Sequence, residues 1–395
     1  MRRSESRILT THVGSLPRVE GLADLLLARE AGTPVDATEF EATLDRALDK
    51  VVGKQLECGI DVGNDGEMPR PNFVSYVASR MSGFGFGGKA ERPLPLDVQN
   101  FPIWYAQFTR SGRRQANVYR FPQAIGRVSY DDMTGVTAEC AALHRALERQ
   151  SQGRGFAEVF MTAVTPGFAA TAMMNQHYER YEDYLMALAR GLKREYDHIV
   201  AQGFVLQLDS PDLGMERQGY FQDKSLAEFQ AAIELHIEAL NLAIADIPPE
   251  QVRLHACWGN RDGPHVYDVP MGDILPIMYR AKVGAISLPF ANVRHQHEMD
   301  IFREHPLPDR MLAIPGVIET TSNYVEHPLL VAERICRIAA GVGDPSRVIA
   351  GTDCGFSTIA GDIFTAEDVV WAKLKSLREG ADIASRRLFG REGAA

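Results

Sequence analysis

VRLHACWGN, residues 252–260, opens as a short apolar-leaning run and breaks off into side chains that carry chemistry: His255, Cys257 and Asn260. A run of this length, bounded by turn-forming residues, reads as a buried strand. Seven other stretches share the pattern: ILTTHVGS (8–15), GIDVGNDGE (59–67), AEVFMTAVT (157–165), FVLQLDS (204–210), VGAISLP (283–289), MLAIPGVIE (311–319) and RVIAGTDCG (347–355). Between them lie stretches such as 179–202, 225–245, 326–341 and 364–387, whose apolar residues recur every three or four positions, as on an amphipathic helix. Strand followed by a long crossover, eight times, predicts an α/β fold with parallel strands: a (β/α)₈ TIM barrel.

The region of about 68–155 breaks the alternation and reads as an insertion after the second strand, so that 1–395 forms a single barrel domain. It contains the aromatic segment NFPIWYAQF (100–108) and a stretch expected to form a hairpin, NVYRFPQAIGRVSY (117–130). GFGFGGKA (83–90) approaches a phosphate-binding loop, but Ala90 stands where a magnesium-binding hydroxyl is required, and no strand is evident before it. It reads instead as a flexible loop, a candidate lid over the barrel mouth.

The composition, 45% hydrophobic and 24% charged, is that of a soluble globular chain with a large core. A net charge of −10 without clustered Lys and Arg argues against nucleic acid or an anionic membrane as partner. No stretch has the length of a signal peptide's apolar core or a membrane span, which predicts a cytoplasmic protein. Five scattered cysteines fit reduced thiols better than a disulfide framework, and Cys58, Cys140 and Cys336 fall in helical patterns where core packing is the default.

In a parallel barrel the C-terminal ends of all strands meet on one face, so Ser15, Glu67, Asp209, His255, Cys257 and Cys354 become candidate neighbours. His255 and Cys257 alternate on one strand and leave it on the same side. With Cys354 from the last strand they form a soft, three-ligand set suited to Zn²⁺ rather than Mg²⁺ or Ca²⁺. H-x-C alone is weak evidence, and a packed strand with an inert thiol is its plain alternative. An open zinc position deprotonates an incoming thiol or, in the competing use, a water. As plainer alternatives, Asp209 could cap a turn before Pro211, Glu67 could be a surface carboxylate before Pro69, and Ser15 could simply start a loop. His295 and His297 are unsuited to sharing one metal at a helix start, and His327 before Pro328 is as readily a helix cap as a catalytic base.

The motifs TTHVGSLPR (10–18), GNDGEMPR (63–70), LQLDSPDL (206–213), HACWGN (255–260), SNYVEHP (322–328) and GTDCGF (351–356) together resemble the catalytic barrel of cobalamin-independent methionine synthase and its short relatives, which include epoxyalkane:coenzyme M transferase. They span almost the whole chain. The resemblance implies a zinc ion held by His255, Cys257 and Cys354, and an amino-acid thiol whose polar end is held by Ser15, Glu67 and Asp209, with Glu67 and Asp209 carrying the catalytic carboxylates. Two carboxylates beside a buried ammonium make physical sense.

Three departures bear on the details. Pro289 stands where the family presents a glutamate ligand, leaving a three-ligand site as the preferred reading, with substitution by Glu298 or a weakened site as alternatives. Thr320-Thr321-Ser322 replaces the family's proton-donor histidine, so that role does not transfer to His327. The third is size: the full synthase has an extra N-terminal barrel that helps to hold the folate donor, so methyltetrahydrofolate does not transfer as the expected donor. The expected function is therefore zinc-dependent methyl or alkyl transfer to a homocysteine-like thiol in methionine biosynthesis, with the alkyl donor open. Carbon–sulfur bond formation or cleavage on coenzyme M ranks second, since two carboxylates repel a sulfonate. A metal-depleted barrel acting as a binding or partner protein is the reading from a different class.

Overall fold

The computed structural model describes residues 1–109, 121–150, 155–361 and 364–390. Eight short parallel strands form the central sheet: β1 (Leu9–Thr10), β2 (Val62–Gly63), β5 (Glu158–Val164), β6 (Val205–Asp209), β7 (Val252–His255), β8 (Ala285–Pro289), β9 (Leu312–Ile318) and β10 (Ile349–Thr352). Every one coincides with an expected strand. They pair in the order β1-β10-β9-β8-β7-β6-β5-β2, and a parallel bridge from Thr11 to Val62 brings β1 back to β2. The ring closes as a (β/α)₈ barrel.

β6, β7, β8, β9 and β10 are buried at every position, because the barrel's filling lies on one side and helices on the other. The helix Tyr181–Ala201 shows how the outer layer is specified: Leu185, Leu188, Leu192, Tyr196 and Ile199, three or four apart, are all buried. Leu226–Ala243 begins in a reciprocal cap, the Ser225 hydroxyl accepting from the Glu228 amide while the Glu228 carboxylate accepts from the Ser225 amide. Among the described residues no helix is long and apolar enough to cross a membrane.

The irregular region after β2 holds two parts. Its last helix, Thr134–Gln150, packs against the helix Ala37–Glu57 as an ordinary barrel crossover, burying Val136, Cys140 and Leu143. The part before it holds an antiparallel pair, β3 (Met81–Gly85) with β4 (Gln123–Tyr130). The expected hairpin within 117–130 therefore takes a different form: the end of that stretch pairs with a strand some forty residues earlier, and its start lies outside the described residues. GFGFGGKA is not wholly a loop either, since Gly83–Gly85 sit in β3 and Ala90 is tied to the Gln123 side chain.

Buried charge joins this region to the barrel. Arg70 donates to Glu139 at 2.8 Å and to the Thr162 carbonyl of β5 at 2.8 Å, while Arg80 bridges Glu139 and Glu195. Every member is paired, the condition under which such a network is tolerable inside a protein. Further out, Trp104 on the helix Pro102–Thr109 donates to the Asp262 carbonyl at 3.1 Å, resting the insertion on the loop that follows β7.

Candidate active site

The six expected site residues stand on the C-terminal rim, and all are buried. Asp209 and His255 end β6 and β7 and are paired in register. Cys257 lies two residues past β7, Cys354 two residues past β10, Ser15 in the loop after β1 and Glu67 in the loop after β2.

His255, Cys257 and Cys354 offer ligand atoms that all lie within 4.8 Å of one another. Tetrahedral zinc with sulfur at 2.3 Å and nitrogen near 2.1 Å places its ligands roughly 3.5–3.8 Å apart, so the cluster needs little adjustment to hold the ion. The His255 ring is buried, and neither nitrogen has a hydrogen-bond partner of ordinary geometry; its close polar company is the Cys257 thiol. A buried imidazole without partners is costly unless its lone pair is used, which suits a metal ligand. The Cys354 thiol and His255 draw the Cys257 thiol well below its usual pKa, favouring the thiolate a metal requires. These residues fit zinc.

Pro289 closes β8. Ser287 pairs with His255, so Pro289 stands level with Cys257, where a longer side chain on this strand would reach the cluster. Glu298 does not take its place: its carboxylate accepts from the Met271 amide at 2.6 Å and lies 2.7 Å from His295 Nδ1. His295 in turn contacts Asp268 at 3.3 Å and packs on Trp258, while His297 is exposed. His327 is exposed, and its Nδ1 caps the helix Pro328–Val342 by accepting from the Leu329 amide at 3.2 Å. The helix cap replaces the catalytic alternative, because its ring nitrogen is turned to its own backbone.

Beside the soft cluster lies a pair of carboxylates. Burial, followed by the nearby Asp209 charge, raises the Glu67 pKa to about 8 against the opposing pull of Arg70 and Arg18. Asp209 is also raised, by burial, although His255 and Gln207 pull it down. Glu67 Oε2 has no hydrogen-bond partner. Its backbone is left-handed at φ 56°, an unusual conformation for this residue type, held by a hydrogen bond from its amide N–H to the Asp65 carboxylate. The space around the pair is tight. A methyl group on Gly14 would come within 2.7 Å of Glu67 Oε1, and one on Gly355 within 2.0 Å of the Ser15 hydroxyl.

Four further residues belong to the site's framework. Asp353, next to Cys354, accepts from the Phe290, Ala291 and Asn292 amides at 2.8–3.0 Å and clamps the loop after β8. Asn64 spends its carbonyl on the Gly66 amide, while its Nδ2 is buried without a partner. Gln207 donates to Asp209 at 2.8 Å and accepts from Arg253. Arg253 carried a visible signal, a charge in the middle of the apolar VRLH, and Gln207 alternates with Asp209 on its strand.

In class, the chain is a parallel barrel with a histidine and two cysteines that could hold a metal ion converging at its C-terminal mouth, next to paired carboxylates. Residues 8–133 match the family described as the catalytic domain of cobalamin-independent synthase. The methionine synthase of Sulfolobus acidocaldarius is 24% identical over 351 residues, covering 89% of this chain and 86% of that protein. The methionine synthase of Sulfurisphaera tokodaii is 23% identical over 381 residues, covering 96% and 93%. Among solved structures, a B12-independent methionine synthase from a Shewanella species, in complex with selenomethionine, superposes with a TM-score of 0.70 at 20% identity, covering 98% of this chain and 100% of that one. The chain is thus similar in fold to the catalytic barrel of cobalamin-independent methionine synthase and, in residues 8–133, to that family's sequence pattern.

Proposed function

We propose that the protein transfers a methyl group to the thiol of homocysteine or a close amino-acid thiol, with zinc held by His255, Cys257 and Cys354. The observation that carries this reading is the adjacency of that trio to Glu67 and Asp209, which suits one molecule bearing a thiol at one end and an ammonium at the other. Zinc bound there supplies a Lewis acid that keeps a thiol deprotonated at neutral pH without abolishing its nucleophilicity.

The chain's own groups do the rest. Glu67 and Asp209 accept hydrogen bonds from the ammonium and, by fixing it, aim the substrate sulfur at the metal position. Ser15, confined by Gly355, orients the same end of the substrate. The sulfur then displaces the leaving group from the donor's methyl carbon. Coenzyme M fits less well, because its sulfonate would face two carboxylates. A metal-free binding role leaves the unpartnered His255 imidazole unexplained.

The test is metal analysis of protein purified without added metal, with methyl-transfer assays on homocysteine across a donor panel. Stoichiometric zinc and chelator-sensitive methionine formation are expected. Absence of zinc together with chelator-insensitive activity would overturn the reading.

A further inference from the structure

Beneath the carboxylate pair, inside the barrel, lies a buried arginine with no acidic partner in direct contact. Arg253 makes no ion pair within 4 Å among the described residues. Its guanidinium is instead divided among neutral acceptors: Nε to Gln207 Oε1 at 2.7 Å, Nη1 to the Thr11 hydroxyl at 3.1 Å and Nη2 to the His12 carbonyl at 2.9 Å. One face of it stacks on Phe160 at 3.5 Å. Burying an arginine in this way is costly for stability alone, and an apolar residue would fill the space at less expense.

The chemistry of the contacts gives the arginine a task. A guanidinium only donates, so the Gln207 amide must turn its oxygen toward Arg253. Its NH₂ group is thereby left to face the other way, where it donates to Asp209 Oδ1 at 2.8 Å and to the Val13 carbonyl. Asp209 and the Val13 carbonyl, both acceptors, favour the same orientation, and Arg253 locks it from the oxygen side against a flipped form that would set a carbonyl oxygen against a carboxylate. All three side chains are buried, so no water corrects the mismatch.

We propose that Gln207 and Arg253 are positioning residues that hold Asp209 in the orientation needed to receive the substrate's ammonium, and so set the preference for an amino-acid thiol over a thiol without an amine. The proposal rests on the reading of Glu67 and Asp209 as the ammonium site. Arg253 and Gln207 act through Asp209 and touch no substrate themselves.

The experiment compares calorimetric binding of L-homocysteine and its des-amino analogue, γ-mercaptobutyrate, to the zinc-loaded wild type, Gln207→Glu, Gln207→Leu and Arg253→Lys, with thermal unfolding of each. Gln207→Glu keeps a partner for Arg253 but sets an oxygen against Asp209 and the Val13 carbonyl, so it should fold with a lowered melting temperature while offering Asp209 no donor. Its preference for homocysteine should shrink by roughly tenfold, the scale of one charge-assisted hydrogen bond, with γ-mercaptobutyrate affinity unchanged. Gln207→Leu should lose as much, and Arg253→Lys, which still donates to the amide oxygen, should retain part of the preference. A wild type that prefers homocysteine and variants that keep the full preference, or weaken both ligands alike, would overturn the positioning role alone. A wild type that binds both ligands equally would overturn the ammonium site and this proposal with it.

Discussion

The thiol side of the rim and its carboxylate side are equally buried, yet each is left uncomfortable in a different way. On the thiol side, two cysteines and an imidazole crowd within 4.8 Å, with both ring nitrogens of His255 unpartnered. These soft donors gain most from a metal ion. On the other side, Glu67 and Asp209 crowd like charge on like charge, and both hold their protons more tightly than usual because burial penalises the carboxylate. These hard acceptors gain most from an ammonium. In the proposed function, the rim would hold two cations of opposite softness side by side and so distinguish the two ends of a small bifunctional molecule.

The sharpest way to break the comparison is to remove one side only. Cys257→Ser replaces a thiolate by a hydroxyl that zinc accepts poorly. Metal analysis should show loss of stoichiometric zinc, and methyl-transfer turnover should fall by more than about 100-fold, beyond the range typical of residues that merely support a ligand. If zinc and turnover both survive, Cys257 is not a ligand.

Glu67→Gln and Asp209→Asn address the other side and should leave zinc content intact. Each removes one charge-assisted hydrogen bond to the ammonium, so KM for homocysteine should rise roughly 10- to 100-fold with a much smaller change in kcat. A loss confined to kcat would move these carboxylates from binding to chemistry. The two sides would then not divide as the geometry suggests.

How much of this division could be read from sequence depends on the period of the signal. The strands were legible because each is a compact apolar run ending in turn residues, and β6, β7 and β10 carry Asp209, His255 and Cys354 at or just past those ends. Strand geometry also joined His255 to Cys257, and barrel topology joined both to Cys354. What stayed hidden depends on long-range partners. Nothing local says that Gln123–Tyr130 pairs with Met81–Gly85, that Glu298 is occupied by Met271 and His295, or that Arg253 reaches Gln207 across β6 and β7. The helix Thr134–Gln150 illustrates the same limit, since only its packing against Ala37–Glu57 makes it a crossover of the barrel.

The raised Glu67 pKa gives the carboxylate side a pH signature of its own. A carboxyl with an ordinary value of 4.5, raised to about 8 on folding, binds its proton more tightly in the native state. Its contribution to stability is therefore present at low pH and is lost as pH rises from about 4.5 through about 8. The melting temperature of ligand-free wild type should fall across that window more steeply than that of Glu67→Gln, which has no proton to lose. Homocysteine binding should move the opposite way, strengthening as pH rises toward 8 and Glu67 ionises to meet the ammonium. Parallel melting curves for the two proteins would place Glu67 in a far wetter environment than the structure gives it.

The smallest expected effect tests the boundary of the thiol side. Glu298 is the substitute the sequence suggested for the ligand that Pro289 cannot supply, but its oxygens are engaged with the Met271 amide and His295. Glu298→Gln keeps a carbonyl oxygen for Met271 and weakens only the contact to the imidazole, a change of about 1 kcal/mol that lowers the melting temperature by no more than a few degrees in a chain of this size. Zinc stoichiometry and turnover should stay within about twofold of wild type, since groups outside the coordination sphere that do not orient a ligand carry little of the metal's affinity. A clear fall in zinc affinity would mean that Glu298 leaves Met271 and His295 to join the metal, making the site four-coordinate through the protein. The substrate sulfur would then have to displace Glu298 or expand the coordination, and the division of labour across the rim would need revision at its metal end rather than at its carboxylates.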